Sequence, residues 1–404
     1  MKYIDKKLTL EKVSIQNIAE KYSTPTYCYS YNQLKKNVYN FKKNFNSFNP
    51  LICFAVKSNT NVNLIKEIKK FGLGADVVSI GELMIALKAG INPKKIVFSG
   101  VGKTSNEIGY AIDKKILLIN AESISEIKEI ARIAKFKKKK VHIGIRLNPN
   151  TDAKTLSQIS TGKKENKFGV NEKTFLDLVN YCKNSKNIQL KCLSVHIGSQ
   201  ILDHKPYEKM LKVISKIINK IDFKFEYIDL GGGMGISYDN NNKSLNYKKY
   251  NTAIKNFLKK HKAKIIFEPG RSIIGNSGYL ISQIIYIKKS GRKNFVILDA
   301  AMNDLMRPAL YGAIHKILPS TKSNKRSKKP YEFVGPICES TDKFTTINNY
   351  QQLKEKNFIV ICDVGAYGMS LSSNYNLRPK AIELLIKGSK IKVIRKRQKH
   401  KDFI

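Results

Sequence analysis

Eight short β-rich runs recur between residues 51 and 270, separated by stretches of helical periodicity, and this alternation constrains the fold more than any other feature of the chain. The runs are Ile52–Lys57, Ala75–Ser79, Ile96–Gly100, Ile116–Asn120, Val141–Leu147, Leu193–Gly198, Tyr227–Gly231 and Ile265–Gly270. Between them, Ile65–Phe71, Ile124–Ala134, Phe175–Cys182 and Leu211–Ile218 carry apolar residues three and four positions apart, the spacing of an amphipathic helix. Strands that alternate with helices pair in parallel, because each helix returns the chain to the same end of the sheet. Eight such units close into a TIM-like (β/α)8 barrel, whose chemistry sits at the carboxyl ends of the strands. Polar and glycine residues just past each run are therefore the first candidates for function.

After Gly270 the pattern changes to short strands and turns: Gly278–Lys288, Asn294–Asp299, Tyr331–Gly335, Phe358–Asp363 and Lys390–Arg395. A chain of 404 residues exceeds the roughly 250 to 300 that one core organises, so a second domain is expected. The boundaries read as 1–25 for an N-terminal strand region joining the β domain, 26–270 for the barrel, and 271–404 for a C-terminal β-sandwich or β-barrel domain. The polar, lysine-rich stretch Ser320–Lys329 reads as a mobile loop.

Composition removes several function classes. A chain that is 42% hydrophobic and 26% charged is that of a soluble globular protein. No run approaches the ~20 apolar residues that cross a bilayer, and the start Met1-Lys2-Tyr3-Ile4-Asp5 lacks a signal-peptide core, so a cytoplasmic location is expected. Six cysteines without Cys-x-x-Cys spacing and six histidines without a His-x-x-x-His pair give no disulfide framework and no metal site. The net charge of +43 raises the question of phosphate backbones and anionic lipids. The lysines are spread along the chain, as in Lys137-Lys138-Lys139-Lys140, without interleaved aromatics. With Lys135-Phe136 preceding that run, aromatics are present but not interleaved with the lysines in one patch, so the lysines read as solvated side chains, with neither nucleic acid nor membrane as a partner.

Several motifs lie where barrel chemistry happens. Ala55-Val56-Lys57-Ser58-Asn59 ends the first run with a lysine whose amine, desolvated by barrel walls, would be a nucleophile; a solvated lysine at a frayed strand end is the alternative. His196-Ile197-Gly198-Ser199-Gln200 offers a flat ring and a hydroxyl. Asp229-Leu230-Gly231-Gly232-Gly233-Met234-Gly235 can bring backbone amides close to a phosphate, or make a tight structural turn. Isoleucine at 236 breaks the Gly-x-Gly-x-x-Gly dinucleotide fingerprint. Glu268-Pro269-Gly270-Arg271 puts a carboxylate and a guanidinium on one rim, for a pyridinium nitrogen and a substrate carboxylate or for each other. In the second domain, Gly335-Pro336-Ile337-Cys338-Glu339-Ser340 joins a thiol able to donate a proton to a carboxylate. Asp363-Val364-Gly365-Ala366-Tyr367-Gly368 surrounds a phenol with glycines.

In order and spacing these motifs resemble the alanine racemase-like, fold type III pyridoxal-phosphate decarboxylases over almost the whole chain. Asn303-Asp304-Leu305-Met306-Arg307-Pro308-Ala309-Leu310-Tyr311 and Asn374-Tyr375-Asn376-Leu377-Arg378-Pro379 most resemble the diaminopimelate-specific branch. The resemblance implies that pyridoxal 5′-phosphate is bound covalently by Lys57, that His196 stacks on its ring, and that Glu268 keeps the ring nitrogen protonated. It implies that Gly231, Gly232 and Gly233 hold the phosphate with Ser199 and Tyr367, and that Gly270 and Arg271 complete the cofactor site. Arg271, Arg307, Tyr311, Glu339 and Tyr367 would bind substrate, and Cys338 would protonate the carbanion. Cys338 and Glu339 would come from the neighbouring subunit of a homodimer, so that the active sites are shared.

The implied reaction is decarboxylation of meso-2,6-diaminopimelate to L-lysine and carbon dioxide, the last step of lysine biosynthesis by the diaminopimelate pathway. Charge supports that substrate: its distal carboxylate needs cations, supplied by Arg271 and Arg307, and its distal ammonium needs an anion, supplied by Glu339. The sequence departs from the family at Thr155-Leu156-Ser157-Gln158, which lacks an expected histidine, and at Thr341, where glycine is common. Rival readings are a decarboxylase of ornithine, arginine or carboxynorspermidine, a pyridoxal-phosphate carrier without turnover, and a nucleic-acid-binding protein.

Overall fold

Four short strands precede the first of the eight runs. β1 (Lys2–Ile4), β2 (Lys7–Leu10) and β3 (Val13–Ser14) form a three-stranded antiparallel sheet, and β4 (Thr26–Ser30) joins a larger one. The structure, a computed structural model, describes residues 1–153, 155, 159, 161–162, 165–238 and 244–404. The chain divides into a barrel unit of Val38–Ile236 and Lys243–Ile273, and a β unit of Met1–Asn37, Ser237–Asn242 and Ile274–Ile404.

The barrel unit closes eight parallel strands: β5 (Leu51–Ala55), β6 (Gly74–Val77), β7 (Ile96–Phe98), β8 (Leu118–Ala121), β9 (Val141–Arg146), β10 (Ile188–Ser194), β11 (Tyr227–Asp229) and β12 (Lys264–Phe267). Each pairs with its neighbours in sequence, and β12 closes on β5 through Ile266 opposite Leu51 and Phe267 opposite Ile52. This is the expected architecture. The largest shift is in β10, which begins at Ile188 rather than Leu193, because Ile188, Leu190 and Cys192 bury alternate side chains ahead of that point. Six of the surrounding helices start under a side-chain cap: Asn61, Ser79, Thr104, Ser123, Asn171 and Asn246 each accept an N–H of the first turn. Each cap satisfies a donor that a helix start would otherwise leave free.

Two-residue periodicity along the strands stacks the barrel interior in layers. Cys53, Val97, Leu118, Cys192 and Ile266 meet as an apolar floor. One step toward the carboxyl ends the chain changes to polar residues, with Asp76, Asn120, Ser194 and Asp229 all buried. Gly144 belongs to that layer: a Cβ there would lie 2.1 Å from Asn120 Oδ1, so glycine leaves the room that the amide fills.

The β unit contains β13 (Gly278–Ser290), β14 (Lys293–Leu298), β15 (Ile317–Pro319), β16 (Tyr331–Val334), β17 (Lys343–Ile347), β18 (Phe358–Cys362), β19 (Ile382–Lys387) and β20 (Lys390–Arg395). Its main sheet runs β17-β16-β14-β13-β4-β19-β20, and β18 pairs with both β13 and β15. The length of β13 explains the branching: its first half lies between β4 and β18, and its second half pairs with β14. Leu8, Leu10, Ile15, Ile18, Ile281, Val360, Leu384 and Ile386 share one apolar core in this unit. Each such side chain contributes about 1.5 to 3 kcal/mol on burial.

The stretch expected as a mobile loop is tied by backbone bonds. Ser320 accepts from Leu8 N–H at 2.7 Å, Lys322 donates to Lys6 at 2.8 Å, and Ser327 donates to Tyr350 at 2.9 Å. Its polar composition concealed these partners, which are distant in sequence. No described helix is long and apolar enough to cross a membrane.

Candidate active site

At the end of β5 the chain turns through Val56–Ser58, held by Ser58 Oγ donating to Ala55 O at 2.7 Å, and Lys57 stands at the carboxyl end of the barrel. Its Nζ lies 2.5 Å from Asp76 Oδ2, the Asp76 side chain being fully buried and the Lys57 side chain 37% exposed. Gly270 packs on the same turn, where a Cβ would come within 2.9 Å of Ser58 Cβ.

Glu268, just past β12, is buried. Its backbone N–H donates to Gly231 O at 2.8 Å, and its Oε1 accepts from Ser99 Oγ at 3.3 Å. Burial pushes its carboxyl well above the usual range; the charges of Asp229 and Asp76 add to this, and Lys57 opposes it. Asp229, at the end of β11, accepts from Gly231 N–H at 2.9 Å, Asn120 Nδ2 at 3.0 Å and Ser194 Oγ at 3.3 Å. Its carboxyl is also pushed up by burial, and it is hydrogen-bonded to Glu268.

The glycine run and His196 form one unit. Gly231 and Gly233 have φ of +64° and +91°, and a Cβ on Gly232 would lie 2.2 Å from Glu268 O, so all three positions demand glycine. The Gly231 amide serves Asp229, and the Gly232 amide donates to His196 Nδ1 at 3.1 Å. Among the described residues the Gly233 amide carries no hydrogen bond. Because Nδ1 of His196 accepts, its hydrogen sits on Nε2. Burial, with the nearby cations Arg146 and Lys57, drives its pKa well below the ordinary imidazole value, although part of the ring surface stays accessible. The ring is flat and neutral.

Arg271, buried at the start of a short helix, donates from Nη2 to Ser199 Oγ at 3.2 Å. Arg146, at the end of β9, pairs with Glu122 at 2.9 Å, and Glu122 also accepts the N–H groups of Gly100 and Gly169 at 3.1 and 3.0 Å. Thus the structure gathers Lys57, His196, Gly231 to Gly233 and Glu268 at one end of the barrel. Asp76, Ser99, Asn120, Glu122 and Arg146 belong to the same set and went unnoticed in the sequence. Their signal was position: Ser99, Glu122 and Arg146 end or directly follow a strand, and Asp76 and Asn120 lie one residue before a strand's end. Leu156, Ser157 and Gln158, where the sequence departs from the family, lie outside the described residues.

The β unit holds the other expected residues. Arg307 is buried at the start of the helix Arg307–Tyr311, which ends on Gly312 in the left-handed region. Its Nη1 donates to His315 Nε2 at 2.7 Å, and His315 Nδ1 donates to Cys362 O at 2.8 Å. The guanidinium also lies 4.4 Å over the Tyr238 ring. His315 and Tyr238, absent from the sequence reading, thus orient the guanidinium. Tyr311 closes the same helix, and Tyr367 sits half-buried in the turn after β18 with φ +58°. Cys338 and Glu339 stand on an exposed loop. That loop is held from the segment 374–379: Asn376 Oδ1 accepts the Cys338 N–H at 3.2 Å, and the Tyr375 hydroxyl donates to Glu339 Oε1. Hydrogen bonds from Tyr375 and Thr341 hold the Glu339 carboxyl below its usual range.

Comparison with known proteins places this geometry. The family described as pyridoxal-dependent decarboxylase, pyridoxal binding domain, matches residues 31–275. Diaminopimelate decarboxylase of Aquifex aeolicus is 41% identical over 407 residues, covering 100% of this chain and 96% of that protein. The Helicobacter pylori (strain J99) diaminopimelate decarboxylase is 44% identical over 393 residues, 96% of each. The crystal structure of diaminopimelate decarboxylase from Helicobacter pylori complexed with L-lysine superposes with a TM-score of 0.91 at 43% identity, over 96% of this chain and 97% of that one. A likeness of this extent over both units shows that the chain belongs to the diaminopimelate decarboxylases, within the pyridoxal-dependent decarboxylase family.

Proposed function

We propose that Lys57, His196, Glu268 and the glycine run hold pyridoxal 5′-phosphate for the decarboxylation of meso-2,6-diaminopimelate to L-lysine and carbon dioxide, the last step of lysine biosynthesis by the diaminopimelate pathway. The observation that carries the assignment is the charge balance at the barrel mouth. Asp76, Asp229 and Glu268 face one another there with the Lys57 ammonium. Such a site is short of positive charge, and a protonated aromatic nitrogen against Glu268 supplies it. The free amide of Gly233, with Ser199 and Arg271, fits a phosphate, while Gly231 and Gly232 give the run its shape. A neutral His196 ring can stack without adding charge. Lys57 anchors the cofactor through its amine.

When bound, the cofactor supplies a ring that accepts the electron pair left as the bond to the carboxylate breaks. Glu268 keeps the ring-nitrogen proton in place. Arg307, oriented by His315, grips the distal carboxylate, with Arg271, Tyr311 and Tyr367 completing the substrate contacts. The partner subunit's Glu339 takes the distal ammonium, and the partner subunit's Cys338 delivers a proton from Sγ to carbon. An exposed thiol and carboxylate on one loop support a homodimer with shared active sites. Free thiols throughout the described chain fit a cytoplasmic enzyme.

The experiment is carbon dioxide release from purified protein with pyridoxal phosphate, using meso-diaminopimelate and L-ornithine in parallel. Release from diaminopimelate alone, with lysine as product, is expected. Release from ornithine alone would overturn the roles of Arg307 and Glu339.

A further inference from the structure

Inside the barrel two carboxyl groups touch, and their surroundings differ. Asp229 receives three donors, from Gly231, Asn120 and Ser194, distributed over both of its oxygens. Among the described residues Glu268 receives one side-chain donor, Ser99 Oγ, which itself accepts from Asn120 Nδ2 at 3.3 Å. Two buried carboxylates in hydrogen-bond contact cannot both be charged, and donors aimed at a carboxylate favour its ionised form. The donor count therefore leaves the charge on Asp229 and a proton on Glu268.

The other groups facing the pair do not reverse this. Lys57 is the nearby ammonium, but it is engaged at 2.5 Å with Asp76, and Asp76 adds a further negative charge. The Cys53 and Cys192 thiols and the Tyr250 phenol, from the neighbouring strands and the helix Tyr247–Lys260, are kept neutral by burial.

We propose that Asp229 is a positioning residue which makes Glu268 hold a proton in the cofactor-free protein, and that Glu268 releases this proton when a cationic ring nitrogen is brought against it. The proton leaves to solvent, and the ring cation then faces two ionised carboxylates, one in contact and one behind. This rests on the assignment of Glu268 to the cofactor ring. Asp229 would thus set the charge state of the ring nitrogen without touching it.

The test mixes cofactor-free protein with pyridoxal phosphate in unbuffered solution containing a pH indicator, for wild type and Asp229→Asn, with uptake read from the visible absorbance of the bound cofactor. At a pH where the bound-cofactor spectra of both proteins are those of the protonated ring, proton changes belonging to the cofactor and to Lys57 are common to both proteins and cancel. Wild type is expected to release close to one proton more per chain at neutral pH than the variant. Asp229→Asn should also hold the ring proton less tightly, so that the pH at which the bound-cofactor spectrum changes moves down. Equal proton release from the two proteins overturns the proposal. Should the variant fail to fold, infrared difference spectra of wild type decide: a protonated-carboxyl band lost on cofactor addition supports it, and no such loss overturns it. Failure of wild type to take up the cofactor at all would overturn the underlying assignment as well, an outcome distinct from uptake without proton release.

Discussion

Asp229 at the barrel mouth accepts three hydrogen bonds and Glu122 accepts two backbone amides and a guanidinium, both buried, whereas Cys338 and Glu339 stand exposed on a loop held from Tyr375 and Asn376. Strand ends fix side chains in place, but at the cost of bringing like charges together in a dry interior. A loop leaves its groups accessible, and their final setting depends on what comes to cover them. The barrel groups are set by their own strands; the Cys338 loop leaves its thiol and carboxylate open to solvent.

The sharpest way to break this contrast is Lys57→Ala. If Lys57 is the anchor, the variant should lose the visible absorbance of the bound cofactor, and turnover should fall on the order of 10^4- to 10^6-fold, the scale seen when a covalent nucleophile is removed. A visible band that survives in Lys57→Ala and is released only by denaturation would point to a different anchor. Cys338→Ala should do the opposite. Cofactor absorbance should be retained while kcat falls by roughly 10^2- to 10^4-fold, the usual contribution of a positioned proton donor. Joint loss of cofactor and turnover in that variant would mean that the loop helps to build the cofactor site.

The same contrast governs what could be read from the sequence. The eight strands were legible because two-residue alternation and the intervening helices repeat, and Lys57, His196 and Glu268 were legible because each ends or follows such a strand. Asp76 and Asn120 were not, since a polar residue inside a short strand looks like an exposed one until the barrel closes around it. In the β unit, Ile382-Glu383-Leu384-Leu385-Ile386 is too apolar to separate strand from buried helix, and β15 has only three residues. His315 was lost for another reason. Its partners, Arg307 and Cys362, are brought to it only by tertiary folding.

Arg307→Lys sharpens the comparison within the β unit. Lysine keeps the charge but loses the planar fork and the contact with the His315 ring nitrogen, so kcat/KM for diaminopimelate should fall roughly 10- to 150-fold, about 1.5 to 3 kcal/mol. Cofactor absorbance should not change. A fall in cofactor content would tie Arg307 to the cofactor and not to substrate.

The smallest effect concerns pH, where Glu332 of the β unit and the Asp229–Glu268 pair of the barrel are shifted in opposite directions. Glu332 in β16 lies between Lys293 of β14 and Lys343 of β17, each ammonium 2.9 Å from a carboxylate oxygen, with the Thr346 hydroxyl at 3.0 Å. Burial alone would push this carboxyl up, but these bonds outweigh it and hold it at about 2. A carboxyl lowered from an unfolded value of about 4.3 stabilises the fold above that value, and the contribution is lost as pH falls toward about 2. Glu332→Gln should therefore lower stability at pH 7 by about 1 kcal/mol, a modest figure because both lysines reach solvent. The deficit should shrink by pH 3, read as the difference in Tm by calorimetry. Glu268 and Asp229, pushed up, work the other way, so the cofactor-free barrel should lose stability as pH rises through the titration of that pair. A Glu332→Gln deficit that stays constant between pH 7 and pH 3 would show that the two lysines do not hold the carboxylate as the geometry requires, and the contrast would rest on the Asp229–Glu268 pair alone.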